Sequence, residues 1–424
     1  MDKLLVHGGT TLEGSVAISG SKNSSLPILA ATLLTRGTCV IRRVPDVSDT
    51  NYMIQILQNL GAEVERASGT VIVKAENIRS DAPYELVRKM RASICVMGPL
   101  LARLGEASVS MPGGCVIGDR PVDLHLKGLE GLGAEVHVEG GDILVKVNGG
   151  LKGDEVSLRG RHGSTVLGTD NLMMAATLAE GTTVIEGAAC EPEVADLADF
   201  LNKMGAKIEG AGTRRIVIEG VEELHGTEHK VIPDRIEAGT FLVAAAMAGG
   251  TKGVTLRRVN GEHLSAVLEV LKQCGLTIEL GLDTIHISNG VESSGCNITT
   301  EPYPGFPTDM QAQFCAMFAT MKGISVVTET IFPQRFMHVP ELKRMGADIE
   351  LEGATAIIRG VEQLSAAPVM ASDLRASAAL VLAGLTAEGV TEINRVYHID
   401  RGYEHIDEKL ISLGARIDRV KVTA

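Results

Sequence analysis

The chain has 424 residues, of which 45% are hydrophobic and 22% charged, as in a globular protein long enough for two domains. Its formal net charge of -13 argues against broad nonspecific binding to nucleic acid or to an anionic membrane, because both require a basic surface. No apolar run approaches the roughly 20 residues that a transmembrane helix requires, and the N-terminus lacks the apolar core of a signal peptide.

The first 20 residues contain two short segments typical of strands, LLVHGG and GSVAISG. They precede the repeat that occupies the rest of the chain and are not one of its copies. We therefore expect them to complete the second of two domains, which requires the chain to cross between the domains twice. The predicted domains are residues 21–230 and residues 1–20 together with 231–424.

From residue 21 onward the main signal is an internal repeat, in which a helix end, a glycine and a short alternating strand recur six times. The glycines are 68 to 72 residues apart. Each stands where a helix C-terminus requires a left-handed residue, and the alternating residues after it are typical of a strand. The six glycines are Gly61, Gly133, Gly205, Gly275, Gly346 and Gly414.

A second series of helices lies between these glycines, and its members are small and apolar almost all round. Helices of this kind are buried. Each repeat is therefore predicted to be a β-α-β-α-β-β-like module with its first helix in the interior and its sheet outside. Three modules around a core of helices make one domain, and six make two. The segments read SLPILAATLL, SICVMGPLLA, NLMMAATLA, AGTFLVAAAMA, MQAQFCAMFATM and ASAALVLAGL.

Polar or charged residues precede the helices at nearly constant offsets from the glycines that end them. If the modules pack equivalently, the helix N-termini gather at one end of each domain and concentrate positive partial charge there. Helix caps and surface ion pairs are the alternative, and for any single arginine they are the commoner role. For the whole set we favour a site for a substrate with several negative charges. The residues are Lys22, Arg91, Arg120, Thr165, Arg235, Asp309, Arg335, Arg375 and Arg401.

Two segments, PGGCVIGDRPVDLH at 112–125 and FPTDMQAQF at 306–314, resemble signatures of the UDP-N-acetylglucosamine 1-carboxyvinyltransferases, a group of enolpyruvyl transferases. Further segments resemble that family in the same order along essentially the whole chain. The related 3-phosphoshikimate enolpyruvyltransferases share the six-module architecture but do not resemble the cysteine loop or the FPTDMQ stretch. The further segments are SGSKNSSLPIL, KMRAS, PDRIEAGTFL, TETIFPQRFMHVPEL, SDLRASAALVL and HIDRGYEHI.

The resemblance implies an inside-out α/β barrel of two domains, with the substrates in a cleft between them that closes on the UDP-sugar. It implies transfer of the enolpyruvyl group of phosphoenolpyruvate to the 3-hydroxyl of UDP-N-acetylglucosamine, the first committed step of peptidoglycan precursor synthesis. It also implies that neither a metal nor an organic cofactor takes part. The expected partners are these two small molecules, and the widely spaced cysteines suit a reducing cytoplasm.

Two residues of the quoted segments match the reacting groups of the family. Cys115 is the candidate acid and the thiol that can form an adduct with phosphoenolpyruvate, and Asp309 is the candidate base for the sugar hydroxyl. A helix N-cap is the alternative role for Asp309, and burial as an inert thiol is the alternative for Cys115. Burial suits Cys115 poorly, because PGGC is a loop rather than an apolar face. We expect it instead for Cys190, Cys274, Cys296 and Cys315.

The remaining site residues are likewise implied by matching positions of the family, where Lys22 and Arg401 also count as catalytic. The chain departs from the family pattern at Thr165-Val166-Leu167-Gly168, where Ser-Val-Gly-Ala is common, and at Cys95, which is aromatic in some relatives. The phosphoenolpyruvate positions are Lys22, Asn23, Arg120, Arg335, Arg375 and Arg401. The UDP-sugar positions are Asn23, Arg91, Arg120, Pro121, Val122, Asp123, Leu124, Thr165, Val166, Asp309 and Ile331.

Three other functions compete with this interpretation. An enolpyruvyl transferase for another alcohol, such as 3-phosphoshikimate, would not need the PGGC loop or the FPTDMQ stretch. A catalytically idle UDP-sugar-binding regulator would not need the acid, base and cation candidates together. An RNA-end-processing enzyme built on similar modules is opposed by the net charge of -13 and by the scarcity of aromatic residues, 3% of the chain.

Overall fold

The computed structural model describes residues 2–112, 122–160, 163–290 and 293–421. These residues divide into two compact units. The first unit contains residues 20–112 and 122–232, and the second contains residues 2–19 and 233–421. The chain passes between the units at 19–20 and at 232–233, one and two residues from the boundaries expected from the repeat.

The described residues form short strands and helices that alternate along the chain, numbered here in chain order. The strands are β1 Asp2–His7, β2 Leu12–Ala17, β3 Thr38–Arg42, β4 Glu63–Ala67, β5 Thr70–Lys74, β6 Asp81–Ala82, β7 Glu106–Ser110, β8 Glu135–Glu139, β9 Asp142–Lys146, β10 Glu155–Ser157, β11 Thr182–Glu186, β12 Lys207–Glu209, β13 Arg215–Glu219, β14 Glu228–Lys230, β15 Gly249–Arg257, β16 Thr277–Leu280, β17 Thr284–Ser288, β18 Ile298–Thr299, β19 Ile324–Thr328, β20 Asp348–Glu352, β21 Thr355–Arg359, β22 Pro368–Met370, β23 Val390–Asn394 and β24 Arg416–Lys421. The α-helices are α1 Lys22–Ala31, α2 Ser48–Asn59, α3 Tyr84–Val87, α4 Met97–Leu104, α5 Asp123–Gly131, α6 Val166–Ala176, α7 Pro192–Lys203, α8 Arg235–Ala248, α9 Ser265–Gln273, α10 Gln311–Phe318, α11 Val339–Arg344, α12 Leu374–Thr386 and α13 Ile406–Ser412. The 3-10 helices are Thr32–Leu34, Arg91–Val96, Gly261–Leu264, Thr308–Met310 and Val396–His398.

Each unit contains three four-stranded sheets of one topology. In every sheet an edge strand pairs parallel with its neighbour and the other two pairings are antiparallel, which confirms the predicted β-α-β-α-β-β module. The strand orders are β14-β3-β5-β4, β6-β7-β9-β8 and β10-β11-β13-β12 in the first unit. They are β16-β17-β15-β2, β18-β19-β21-β20 and β22-β23-β1-β24 in the second.

The two N-terminal strands both belong to sheets of the second unit. Strand β2 pairs parallel with β15, with Val16 opposite Leu256, and β1 lies between β23 and β24 in antiparallel pairing. The N-terminal segment therefore supplies the first strand of one module and the last strand of another. In the first unit the strand equivalent to β2 is β14, which pairs parallel with β3 and comes from the C-terminal end of that unit's sequence.

The first helix of five modules is buried, as predicted from composition, and in the remaining module the buried segment forms the 3-10 helix Arg91–Val96 and most of α4, after the partly exposed α3. Nearly every residue of α1, α6, α8, α10 and α12 is buried, whereas residues exposed to solvent alternate along the strands. Close packing of these helices depends on small residues. A methyl group on Gly98 of α4 would lie 2.3 Å from the carbonyl oxygen of Asn171 on α6, closer than any contact a side chain tolerates. The observed architecture is thus the predicted α/β fold with helices inside and sheets outside.

The repeated glycines also have the predicted backbone. All six have positive φ angles between 88° and 111°, in the left-handed region that ends a helix without strain only at glycine. Two of the buried helices begin differently from the prediction, because Arg91 and Asp309 lie in 3-10 helices that precede α4 and α10. Among the described residues no helix combines the length and the apolar character needed to cross a bilayer.

Candidate functional site

The second unit brings together three of the predicted site residues. The carboxylate of Asp309 lies between two guanidinium groups: its Oδ1 accepts a hydrogen bond of 2.7 Å from Arg335, and its Oδ2 accepts bonds of 3.0 and 3.2 Å from Arg375. Both arginines are buried, with side-chain exposures of 8% and 3%, whereas 28% of the Asp309 side chain is exposed. The result is one accessible carboxylate held from two sides by cations.

Each member of this cluster is positioned by a different module element. Asp309 lies in the 3-10 helix before α10, and Arg335 follows β19 in a loop. Arg375 is the second residue of α12, whose N-cap, Asp373, accepts hydrogen bonds from the backbone N–H groups of Arg375 and Ala376. The N-cap role considered for Asp309 is wrong, because Met310 occupies the N-cap position of α10, without a side-chain cap, and the Asp309 carboxylate contacts arginines.

Arg375 is held in its charged form by its surroundings. Burial alone would lower the pKa of its guanidinium group, but the negative charges of Asp309 and Asp234 outweigh burial and raise that pKa above its ordinary value. The guanidinium carbon lies 5.2 Å from the centre of the Tyr403 ring. Burial raises the pKa of Tyr403, so its hydroxyl stays protonated and bonds Thr240 Oγ1 at 2.9 Å.

Two further predicted residues, Ile331 and Arg401, belong to the second unit. Ile331 follows β19, and its backbone N–H donates a hydrogen bond of 2.8 Å to Glu329. Glu329 also accepts a bond of 2.9 Å from the hydroxyl of Thr308, the residue before Asp309. Arg401 lies half-buried in the turn between the 3-10 helix Val396–His398 and α13.

The buried His338 gives this region a predicted sensitivity to acid. Burial, opposed by Asp373 and reinforced by Arg335, lowers the pKa of His338 to about 4. Since the unfolded value is about 6.5, the unfolded chain binds a proton between these pH values and the folded chain does not. The free energy of unfolding is therefore expected to fall as the pH drops from 6.5 to 4, by up to on the order of 3 kcal/mol from this residue.

This contribution can be measured by denaturant unfolding across the same pH range. His338→Asn should show a flatter pH dependence than the unchanged chain, even though it is less stable at neutral pH. His405→Asn, at an exposed histidine of the same unit, should leave the pH dependence as it is. Parallel curves for the unchanged chain and His338→Asn would contradict the prediction.

In the first unit, Lys22 and Asn23 are the first residues of α1. The helix is capped by Ser21, whose hydroxyl accepts a hydrogen bond from the Ser24 N–H. The Lys22 ammonium group lies 3.2 Å from Asp49 Oδ2 at the start of α2, and both side chains are largely buried. A buried cation is therefore presented at a helix N-terminus, the arrangement expected of an anion site.

The helices that carry the predicted UDP-sugar residues of the first unit are tied together by one buried amide. Asn171 of α6 donates to the Ile94 carbonyl oxygen at 2.9 Å, accepts from the Gly98 N–H at 2.7 Å and bonds His125 Nδ1 at 3.1 Å. Ile94 lies in the 3-10 helix that begins at Arg91, Gly98 lies in α4 directly after it, and His125 follows Leu124 in α5. The network holds the predicted residues of three elements in a fixed relation, namely Arg91, Val122, Asp123, Leu124, Thr165 and Val166.

The unusual Thr165–Gly168 segment still caps its helix. The Thr165 hydroxyl accepts a hydrogen bond of 3.2 Å from the Gly168 N–H, as a serine at that position would. A methyl group on Gly168 would lie 2.4 Å from Thr165 Cγ2. The glycine therefore gives the Thr165 side chain close access to the start of the helix.

Three predicted residues, Cys115, Arg120 and Pro121, lie outside the described residues. The prediction that four other cysteines are buried is confirmed for Cys274 and Cys315. It is wrong for Cys190 and Cys296, which are half-buried. Cys190 lies in the loop before α7 and Cys296 in the loop before β18, where the surrounding chain covers them only in part. The Sγ atoms of Cys274 and Cys296 are 3.3 Å apart.

One group of side chains in the first unit has metal-ligand types. The ligand atoms of Asp196, Asp199 and His229 lie within 4.8 Å of one another. The Lys203 ammonium group bonds Asp199 at 2.7 Å and His229 Nδ1 at 3.2 Å. The Lys203 ammonium group therefore supplies the positive charge that a metal ion would bring, and the cluster is explained as an ion pair.

A family model described as EPSP synthase (3-phosphoshikimate 1-carboxyvinyltransferase) matches residues 6–410, and the chain belongs to this family of enolpyruvyl transferases. Within it, the chain is 66% identical to the UDP-N-acetylglucosamine 1-carboxyvinyltransferase of Akkermansia muciniphila, over 99% of both chains. It is 61% identical to the protein of that name from Methylacidiphilum infernorum, over 99% of both chains. The resemblance found in the sequence is confirmed.

Solved structures match the fold over nearly the full chain. The enolpyruvyl transferase NikO from Streptomyces tendae has a TM-score of 0.89 at 23% identity, over 100% of this chain and 99% of that one. The EPSP synthase from Acinetobacter baumannii has a TM-score of 0.77 at 20% identity, over 99% and 100%. At these identities the likeness concerns the fold, which agrees with the expected inside-out α/β barrel.

Proposed function

We propose that this protein transfers the enolpyruvyl group of phosphoenolpyruvate to the 3-hydroxyl of UDP-N-acetylglucosamine and releases phosphate. The observation that carries the proposal is the 66% identity, over 99% of both chains, to a relative named for that reaction. The carboxylate of Asp309 between two buried arginines supplies the kind of groups that the reaction needs. The proposed setting is the cytoplasm and the first committed step of peptidoglycan precursor synthesis, without membrane or nucleic-acid partners.

The chemistry sets clear demands on the protein. C3 of phosphoenolpyruvate takes up a proton, C2 gains oxocarbenium character, and the sugar hydroxyl loses its proton as its oxygen attacks C2. The tetrahedral intermediate then loses phosphate and a proton from C3. An acid, a base and cations for the carboxylate and phosphate are therefore required.

Asp309 is the proposed base for the sugar hydroxyl. Both of its oxygens accept hydrogen bonds from guanidinium groups, so its orientation is set before a substrate arrives. Cys115 is the proposed acid. The proposed cations for the phosphate and carboxylate are Lys22, Arg120, Arg335, Arg375 and Arg401, with Asn23 beside them.

The UDP-sugar is proposed to contact the starts of several helices in the first unit, where backbone N–H groups attract a diphosphate. Thr165 caps one of these helices through its hydroxyl, and Ile331 and Asp309 contribute from the second unit. The first-unit residues proposed for this substrate are Asn23, Arg91, Arg120, Pro121, Val122, Asp123, Leu124, Thr165 and Val166.

The second candidate acceptor is 3-phosphoshikimate, because the matching family model carries the name of that reaction. Phosphate release from phosphoenolpyruvate should be measured with each acceptor in turn. The proposal expects turnover with UDP-N-acetylglucosamine and none above background with 3-phosphoshikimate. The reverse result would replace the proposed acceptor, and no turnover with either would remove the proposed reaction.

A reactive thiol at Cys115 predicts inactivation by an epoxide of the fosfomycin type. The cations proposed for the phosphate would favour the thiolate, the form that opens an epoxide ring. Incubation with the epoxide should abolish phosphate release, and peptide mass spectrometry should find the adduct on Cys115. Cys95 and Cys39 are buried and should remain unmodified. Full activity with an unmodified Cys115 would contradict this prediction.

A further inference from the structure

A residue outside the predicted site holds three of its members together. Glu329 follows β19 directly and is 1% exposed. Its Oε1 accepts hydrogen bonds from Thr300 Oγ1 at 2.8 Å and from the backbone N–H groups of Ile331 and Phe332 at 2.8 and 2.9 Å. Its Oε2 accepts from Thr308 Oγ1 at 2.9 Å. One buried carboxylate thus receives four hydrogen bonds.

The bond to Thr308 extends this network to the charged cluster. Thr308 Oγ1 donates its single proton to Glu329 and therefore presents a lone pair to Arg335, whose Nη1 lies 3.0 Å away. The same Nη1 donates to Asp309 Oδ1 at 2.7 Å. The chain of contacts runs from Glu329 through Thr308 and Arg335 to the Asp309 carboxylate.

We infer that Glu329 is a positioning residue for the transfer reaction, an inference that rests on the proposed function. Through Thr308 it orients Arg335 and Asp309, and through two backbone bonds it fixes the segment that begins at Ile331. It acts on the sugar substrate through these residues and touches no reacting atom itself. Four hydrogen bonds to one carboxylate fix the positions of the segments that donate them. A base and the contacts of its substrate require this preorganisation.

Glu329→Gln is the most informative substitution. It keeps the shape of the side chain but replaces one of the two acceptor oxygens with an NH2 group. If the amide oxygen takes the three bonds of Oε1, the amide N–H faces Thr308 Oγ1, and the Thr308 proton loses its acceptor. In the reversed orientation the amide NH2 group would face the backbone N–H groups of Ile331 and Phe332, so that donors would meet donors. The first orientation turns the Thr308 hydroxyl away from its present bonding and the second repels the Ile331 segment, so neither preserves the whole network.

The alternative is that Glu329 only stabilises the end of β19. In that case Glu329→Gln would lower the midpoint of thermal unfolding and leave the kinetic constants of the folded enzyme unchanged. Positioning predicts in addition a KM for UDP-N-acetylglucosamine raised by about tenfold and a kcat lowered by about tenfold or more. These kinetic changes separate the two roles.

The test compares Glu329→Gln with Glu350→Gln, at an exposed glutamate on β20 of the same unit, in phosphate-release kinetics at a temperature where both are folded. Glu350→Gln should match the unchanged enzyme. Thr308→Val should reproduce the kinetic defect of Glu329→Gln, and the double variant should be no worse than the more severe single variant. Unchanged kinetics in Glu329→Gln, or fully additive defects, would overturn the inference.

The outcome is separable from that of the proposed function. If the unchanged enzyme releases no phosphate with both substrates, the proposed function fails. If the unchanged enzyme turns over and Glu329→Gln equals it, the positioning role alone fails.

Discussion

Asp309→Asn is expected to lower kcat for phosphate release by about 10²- to 10⁴-fold, the usual contribution of a positioned base. Asparagine has nearly the same volume and can still accept a hydrogen bond from a guanidinium group, but it cannot take the proton of the sugar hydroxyl. The same change leaves Arg335 and Arg375 buried without their anionic partner. A lower midpoint of unfolding is therefore expected as well.

The kinetic and structural effects of this change can be separated. Rates should be measured well below the unfolding midpoint of the variant, and binding of UDP-N-acetylglucosamine should be measured by calorimetry. Asp348→Asn removes a half-exposed carboxylate from the same unit, where Asp348 lies 3.5 Å from Arg359, and should leave kcat unchanged. Full activity in folded Asp309→Asn would remove the assignment of Asp309 as the base.

Arg375→Lys is expected to lower kcat/KM for phosphoenolpyruvate by about 10- to 100-fold although the charge is kept. Two nitrogens of the guanidinium group contact Asp309 Oδ2, and its face lies against Tyr403. A lysine ammonium group is a point donor that cannot reproduce both contacts. In addition, a more strongly hydrated cation would occupy a site that is 3% exposed.

Arg359→Lys is the matched control for this prediction. Arg359 is 45% exposed and pairs with Asp348 and Glu350 on the surface, where ion pairs contribute about 0–1 kcal/mol. Its replacement should not change the kinetics. If Arg375→Lys leaves kcat/KM as unchanged as Arg359→Lys does, the two guanidinium contacts with Asp309 and the contact with the Tyr403 ring have no role in substrate binding.

Much of the fold was predictable because short stretches of sequence define the elements of the repeat. The left-handed glycines end helices wherever they occur, and helices apolar on all sides have to be buried whatever surrounds them. Both signals depend on a few neighbouring residues. The 3-10 starts before α4 and α10 were missed; in the first of them the Ile94 carbonyl oxygen accepts a hydrogen bond from Asn171 of the next module, a contact that the local sequence does not show.

The candidate site was predictable only in part. Repeated positions and the family resemblance identified Asp309, Arg335 and Arg375, which the structure brings together. Glu329 and Tyr403 lie within the quoted segments but were not singled out. Nothing in their local sequence says that one receives four hydrogen bonds or that the other lies against an arginine, since both contacts join distant parts of the chain.

The most direct measurement incubates the protein with phosphoenolpyruvate and UDP-N-acetylglucosamine, identifies the nucleotide product by mass spectrometry and counts the phosphate released. The proposed reaction predicts a UDP-sugar that has gained one enolpyruvyl ether, with one phosphate for each product molecule. An unchanged UDP-N-acetylglucosamine after prolonged incubation, with no phosphate released by protein shown to be folded, would contradict it.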